Sequence, residues 1–191
     1  MCKKDKRSDI MEAAIELLAE QGFHGAPMAL IAEKAGVGAG TIYRYFENRD
    51  VLINAIYRET YDRVHKYLVS DYPENRPVRE RFFHIVRGFI TYYKANPLDY
   101  RYIEQFHNSP YGLQHRKEKL LNLNGDYEFI HTLFEEGKEQ QMIKDVPLAM
   151  HFNLAFAPVV WSLRDHHTGF LDLNDELADI VVHACWDSIK M

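Results

Sequence analysis

Residues 38–49 gather groups able to grip an anion and to read a hydrogen-bonding edge. Thr41, Tyr43, Arg44 and Arg49 supply donors and positive charge, and Gly38, Ala39 and Gly40 precede them. Small residues at a helix start let the backbone approach a partner closely, and the amides and dipole there favour an anion. The same residues also permit a tight turn, and the two uses are compatible. Thr41 can donate to a phosphate or touch a thymine methyl, or simply start the helix. Tyr43 joins an apolar ring to a donor tip suited to the edge of a groove. Arg44 can engage guanine bidentately, the commonest specific base contact; its alternative is a solvated ion pair. Tyr45 falls one residue further round the helix and can face nucleic acid or a neighbouring helix.

These groups need a rigid mount, and the flanking sequence describes one. Leu30–Ala35 has helical spacing, Gly36 stops it, and a short segment to Phe46 is apolar only at Val37, Ile42 and Phe46. Asn48 then caps another helix. Helix, glycine-centred turn and short helix form a helix-turn-helix, whose second helix enters a DNA major groove.

The rest of the chain predicts helix after helix, with no strand alternation, repeat or low-complexity run. Asp9 reads as an N-cap with Glu12 as its capping-box partner, and Gly22 as an αL stop. Pro27 suits the first turn of the second helix. A long helix follows from about Arg49 to Val69, then a connection at Ser70 to Arg76. Pro77 opens a helix that closes near Asn96, and a short helix spans about Leu98 to Phe106. Residues 108–112 read as a loop. Leu120, Leu123, Tyr127, Ile130, Phe134 and Gly137 form one helical seam. Leu148 to about Asp165 is apolar nearly all round, so it must be covered on both sides, and Pro158 should kink it. Asn174 caps a last helix with a stripe of Leu177, Ile180, Val181, Ala184 and Ser188.

Composition excludes several classes. The chain has 191 residues, 47% of them hydrophobic, enough for a substantial core. It contains no apolar run of about 18 residues and no signal-like start, so neither a membrane span nor export is expected. Two cysteines, Cys2 and Cys185, argue against a disulfide framework and fit a reducing cytoplasm. Net charge is −5, and residues 1–50 hold seven Lys/Arg against eight Asp/Glu, so no domain is globally basic. Positive charge is local instead. Lys3, Lys4, Lys6 and Arg7 crowd an arm over residues 1–8. Such an arm can follow phosphates or enter a minor groove, or serve as a solubilising tail.

The segments Ile15-Glu16-Leu17-Leu18 through Gly22-Phe23, Ile31-Ala32 through Ala35-Gly36-Val37, Gly40-Thr41-Ile42-Tyr43 through Tyr45-Phe46, and Asn48-Arg49 with Leu52 carry a resemblance. Together they resemble the head of TetR-family transcriptional regulators, over roughly the first quarter of the chain. The resemblance implies an all-α fold of about nine helices, with a three-helix DNA-binding domain at residues 1–50 and a ligand-binding and dimerisation domain at 51–191. The last two helices would form the interface of a homodimer that binds a palindromic operator and releases it when a small effector binds. Arg49 stands where family members carry a lysine directed at phosphate, and each phosphate neutralised adds about 0.9 to the log–log salt slope. The chain departs from the family at Ala26-Pro27, in place of a Ser/Thr cap, and at Gly38-Ala39, in place of Ser-Lys. The DNA-facing set is therefore Lys6, Arg7, Pro27, Gly38, Ala39, Gly40, Thr41, Tyr43, Arg44, Tyr45 and Arg49, with more reliance on backbone amides.

Eight aromatics between residues 82 and 106 exceed what a helical core needs, and a family that senses ligands makes them a pocket. A packed aromatic core is the competing reading for any one of them. Phe89, Tyr93, Tyr102, Phe106, Tyr127, His131 and Trp161 are its expected lining. His151, His166 and His167 lack the spacing and carboxylates of a metal site, so no metal or cofactor is expected. No catalytic constellation stands out, and Cys185 lies in an apolar stripe. The leading expectation is a cytoplasmic, ligand-responsive repressor, with an activator equally compatible. The alternative is a small-molecule-binding or enzymatic helical bundle with a vestigial head.

Overall fold

The computed structural model describes residues 5–121 and 128–191. Among these the chain forms ten helices and no strand: α1 (Lys6–Gly25), α2 (Met28–Lys34), α3 (Ala39–Tyr45), α4 (Arg49–Val69), α5 (Val78–Ala95), α6 (Pro97–His107), α7 (Pro110–Leu120), α8 (Glu128–Glu139), α9 (Leu148–Thr168) and α10 (Asp175–Ile189). No described helix is long and apolar enough to cross a membrane. The chain divides into two compact units. Unit 1 comprises Met1–Arg63 and Asn96–His115, and unit 2 comprises Val64–Ala95 and Arg116–Met191.

Unit 1 extends beyond residue 50 because the head cannot bury its apolar stripes alone. Ile10, Ala14, Leu17 and Leu18 of α1, Met28, Ile31 and Ala32 of α2, and Ile42 and Phe46 around α3 share one core with Leu52, Ile53, Ile56 and Tyr57 of α4. Tyr102 and Phe106 of α6 complete it, both fully buried. The Tyr102 hydroxyl donates to the Ile53 carbonyl at 2.7 Å, satisfying a polar group that burial would otherwise strand. The rings of Tyr57 and Phe106 stack at 4.1 Å between centroids. Arg63 donates to both carboxylate oxygens of Asp99, at 3.1 and 2.6 Å.

Four local expectations change in unit 1. Helix α1 begins at Lys6, not after Asp9, because Asp5 is the N-cap and its side chain accepts from the Arg7 amide at 3.1 Å. Gly22 interrupts α1 with φ +69° and ψ 178°, a conformation open only to glycine, and a further helical turn follows to Gly25. Pro27 is the N-cap of α2 rather than a residue of its first turn. Residues 108–112 are not a loop: Pro110 opens α7, with Ser109 before it as a cap for the Gly112 amide.

Unit 2 packs α5, α8, α9 and α10 around Phe82, Ile85, Val86, Ile90, Leu133, Phe134, Phe152, Val159, Val182 and Trp186, all buried. Leu120 ends α7 and Leu121 is a turn residue, so the expected seam does not run through one helix; Leu123 and Tyr127 lie outside the described residues. Ile130, Phe134 and Gly137 do face the core of unit 2. Asn174 caps α10 by accepting from the Leu177 amide at 3.0 Å. The buried stripe of α10 is Val182, Cys185, Trp186 and Ile189. The expected stripe lies on another face, where Ile180 is 57% exposed. Two apolar stripes on one helix satisfy the same periodicity, and only packing chose between them. Burial pushes the Cys185 thiol up to about 12, leaving it inert. No three His, Cys, Asp or Glu side chains converge on a metal geometry among the described residues.

Candidate nucleic-acid interface

Helix α3 is held from beneath and bare above. Ile42 and Phe46 are buried in the core of unit 1, and Val37 packs against it from the preceding turn. Gly36 makes that turn with φ +65°, the left-handed region where a side chain is strained. The Ile31 carbonyl accepts from Ala35 at 2.9 Å and the Ala32 carbonyl from Val37 at 3.0 Å, ending α2 in time for α3 to change direction. With those anchors set, helical geometry turns Tyr43, Arg44 and Tyr45 outward. All three are exposed, Tyr43 by 55%. Large aromatic side chains left in solvent on a seven-residue helix suit a partner that covers them.

Gly38 is the N-cap of α3 and offers no side-chain cap. Gly38, Ala39 and Gly40 are exposed and Thr41 is half-buried, its amide donating to the Gly38 carbonyl at 2.7 Å. A Cβ on Gly40 would meet nothing within 4 Å, and its φ is not positive. The fold does not require glycine there, so the space above Gly40 is available to a partner. Pro27 is exposed at the start of α2.

The cations sort differently from the expected arm. Lys6 and Arg7 belong to the first turn of α1, and Lys3 and Lys4 lie outside the described residues. Lys6 is exposed. Arg7 is engaged: its guanidinium pairs with Glu59 at 2.6 Å and lies 5.5 Å from the centre of the Phe46 ring. Lys34 pairs with Glu16 at 2.8 Å, which raises its pKa by a hydrogen bond to the charged ammonium. Arg49 follows Asn48, whose side chain accepts from the Val51 amide at 2.9 Å. Its Nε and one Nη are buried with no hydrogen-bond partner among the described residues. Beside it the Tyr111 hydroxyl donates to the Asp50 carboxylate, and burial together with that carboxylate raises the Tyr111 pKa. Sequence reasoning missed Glu59 because no local signal marks a partner 52 residues away.

The expected ligand lining separates. Tyr102 and Phe106 belong to the core of unit 1, where both are fully buried. Phe89, Tyr93, His131 and Trp161 belong to unit 2, and Tyr127 lies outside the described residues. Phe89 and Tyr93 stack at 6.2 Å, and Phe89 meets Phe156 edge-on at 5.5 Å. Trp161 is 59% exposed on α9 with Arg164 over its ring, so it faces solvent rather than the core of unit 2. His131 lies 5.8 Å from Phe152, and its Nε2 is buried without a partner. Lys119 was missed altogether. No local pattern marks it, yet its ammonium sits 3.9 Å from the centre of the Phe152 ring.

Known sequences and structures resemble this chain along most of its length. The family described as "Bacterial regulatory proteins, tetR family" matches residues 10–56, and "Tetracyclin repressor-like, C-terminal domain" matches residues 77–190. The fatty acid metabolism regulator protein of Bacillus subtilis is 25% identical over 186 residues, covering 94% of this chain and 95% of its own. An HTH-type transcriptional regulator of Haemophilus influenzae is 24% identical over 188 residues, covering 98% and 97%. Among solved structures, a TetR-family regulator from Vibrio parahaemolyticus is 28% identical with a TM-score of 0.79, covering 98% of this chain and 99% of its own. A transcription regulator from Shewanella shares the fold at 19% identity with a TM-score of 0.87, covering 98% and 100%.

Proposed function

From the premise that the chain belongs to the TetR family and is a DNA-binding transcriptional regulator, we propose that it is a repressor released from its operator by a small molecule. One observation carries the DNA half of this reading: α3 exposes Tyr43, Arg44 and Tyr45 while Ile42 and Phe46 are buried beneath it. Arg44 reads a base edge, Thr41 and Tyr43 hold the groove rim, and Arg49 and Lys6 meet phosphates. The bare start of α3 at Gly38, Ala39 and Gly40 brings backbone amides close to the strand. Pro27 and Tyr45 border the contact, and Arg7 supports it from α1. Residues 1–50 supply these contacts.

Residues 51–191 bind the effector and form the homodimer. The exposed apolar side chains Val160 and Trp161 of α9 and Ile180 of α10 support a two-fold contact through these helices. Covering this face answers the expectation that α9 needs neighbours on both sides. Two copies of α3 then address half-sites about 34–36 Å apart on a palindrome. Helix α4 belongs to unit 1 as far as Arg63 and to unit 2 from Val64. A ligand in unit 2 that displaces this helix changes the separation of the two recognition helices and releases the operator. The Bacillus subtilis relative is named for fatty acid metabolism, which supports an effector with an apolar body. The relatives over nearly the whole chain are regulators, which favours this reading over an enzymatic bundle.

Selection of bound fragments from genomic DNA tests the proposal. The expected result is a palindrome bound by a dimer with strong salt dependence. Recovery of no specific site overturns it.

A further inference from the structure

We propose that unit 2 holds a receptor for the carboxylate of an apolar small molecule, formed by the Lys119 ammonium and the His131 imidazole, which both lie against the Phe152 ring. This deepens the effector reading above and rests on it. One aromatic ring organises both groups: Lys119 Nζ lies 3.9 Å from its centre and the imidazole 5.8 Å. His131 Nε2 is buried and has no hydrogen-bond partner among the described residues, a group that costs stability until something satisfies it. A backbone hydrogen bond to Lys119 ties this imidazole to the end of α7.

The surroundings disfavour positive charge when nothing is bound. Burial, with the neighbouring Arg116, lowers the Lys119 pKa from 10.5 to about 7. Burial and Lys119 lower that of His131, with Glu135 acting weakly the other way. Arg116 itself donates to Asn153 at 3.0 Å, one residue beyond Phe152. A carboxylate entering here would accept from Lys119 and from protonated His131, and both groups would take up protons as it bound. A neutral hydroxyl can donate to the unprotonated Nε2 but offers Lys119 no opposite charge.

The rings next to Phe152 give such an anion somewhere to lay its tail. Phe152 stacks on Phe156 at 5.9 Å, Phe156 meets Phe89 at 5.5 Å, and Phe89 stacks on Tyr93 at 6.2 Å. Phe156, Phe89 and Tyr93 are each half-buried, with Phe89 and Tyr93 packing on one side against Val64, Leu68 and Tyr92. The arrangement is an aromatic track with a cationic end, the complement of an amphipathic carboxylate.

Calorimetry on the full chain with decanoate and decan-1-ol tests this. At pH 7 decanoate is expected to bind about tenfold or more tighter than the alcohol, with net proton uptake in buffers of differing ionisation enthalpy. Lys119→Met and His131→Phe should each weaken decanoate about tenfold and leave decan-1-ol within twofold, which also reports that the variants are folded. Nuclear magnetic resonance on the wild-type chain should show the His131 pKa rising when decanoate is added. Equal binding of acid and alcohol, no binding of decanoate, or an unmoved His131 overturns the proposal. If decanoate binds this way but does not release the selected operator, the carboxylate site stands and the effector reading falls. If a neutral molecule releases the operator while decanoate does not bind, the effector reading stands and the carboxylate site falls.

Discussion

Arg7, in the first turn of α1, pairs with Glu59 of α4 at 2.6 Å, and its guanidinium lies 5.5 Å from the Phe46 ring that anchors α3. One side chain thus joins three helices of the head, and a cation at the edge of the proposed DNA-facing surface is held by a carboxylate. Both partners are over 40% exposed, so the pair adds under about 1 kcal/mol to stability. Glu59→Gln should therefore leave the melting temperature nearly unchanged while releasing Arg7 to a phosphate. Anisotropy measurements of operator binding across a salt series should show a slope steeper by up to about 0.9. An unchanged slope places Arg7 outside the interface.

Arg44 and Arg49 should fail in different ways. Arg44→Ala is expected to lose about 1–3 kcal/mol of discrimination at one base position. Arg49→Ala should flatten the salt slope by about 0.9 with the sequence preference intact. Competition with single-base operator variants, run at several salt concentrations, separates the two. Loss of preference in Arg49→Ala would refute its phosphate role.

Gly40 stands in open space with an ordinary backbone conformation. Gly40→Ala should stabilise α3 by about 0.5–1 kcal/mol, the usual gain of alanine over glycine in a helix. Operator affinity should fall in the same variant, because the added methyl stands where the DNA backbone approaches. Urea denaturation and operator titration together check this. Stabilisation with unchanged affinity would show that no close approach occurs there.

Ile180 is 57% exposed on α10, so an acidic residue there is compatible with the folded protomer. Ile180→Asp should weaken self-association at least about tenfold by leaving a charge unpaired on an apolar contact. Sedimentation velocity should then show monomers at concentrations where the wild-type chain is dimeric, with operator binding lost in parallel.

Lys119 makes stability depend on pH. In the unfolded chain its amine keeps a proton up to its ordinary value of 10.5, whereas in the folded chain it loses it near 7. Between these values the unfolded state holds more protons, so this group makes stability rise with pH from about 7 to 10.5. Below pH 7 both states are protonated and the burial cost is complete. Lys119→Met should be more stable than the wild-type chain at pH 7 and should flatten the rise above it. Urea denaturation between pH 6 and 10 measures both effects.

Much of the head was legible because its signals are local. Gly36 marks a turn, Asn48 caps α4, and Val37, Ile42 and Phe46 repeat at the spacing that seats a short helix. Helical periodicity and capping act over three or four residues, so they are written in neighbouring letters. Asp5 displaced Asp9 as the first cap, and Ser109 with Pro110 started a helix inside an expected loop. There local signals competed, and the choice fell to packing further along.

The sequence by itself determined an all-helical chain with a recognition helix anchored on one face and bare on the other. Tertiary structure alone decided which cations are held and which are exposed, because Arg7 finds Glu59 across 52 residues and Lys34 finds Glu16 on another helix. It also sent Tyr102 and Phe106 to the core of unit 1 and laid Lys119 over Phe152 in unit 2. An amphipathic pattern specifies that a face will be buried, but its partner is selected by the contacts that several helices can satisfy at once.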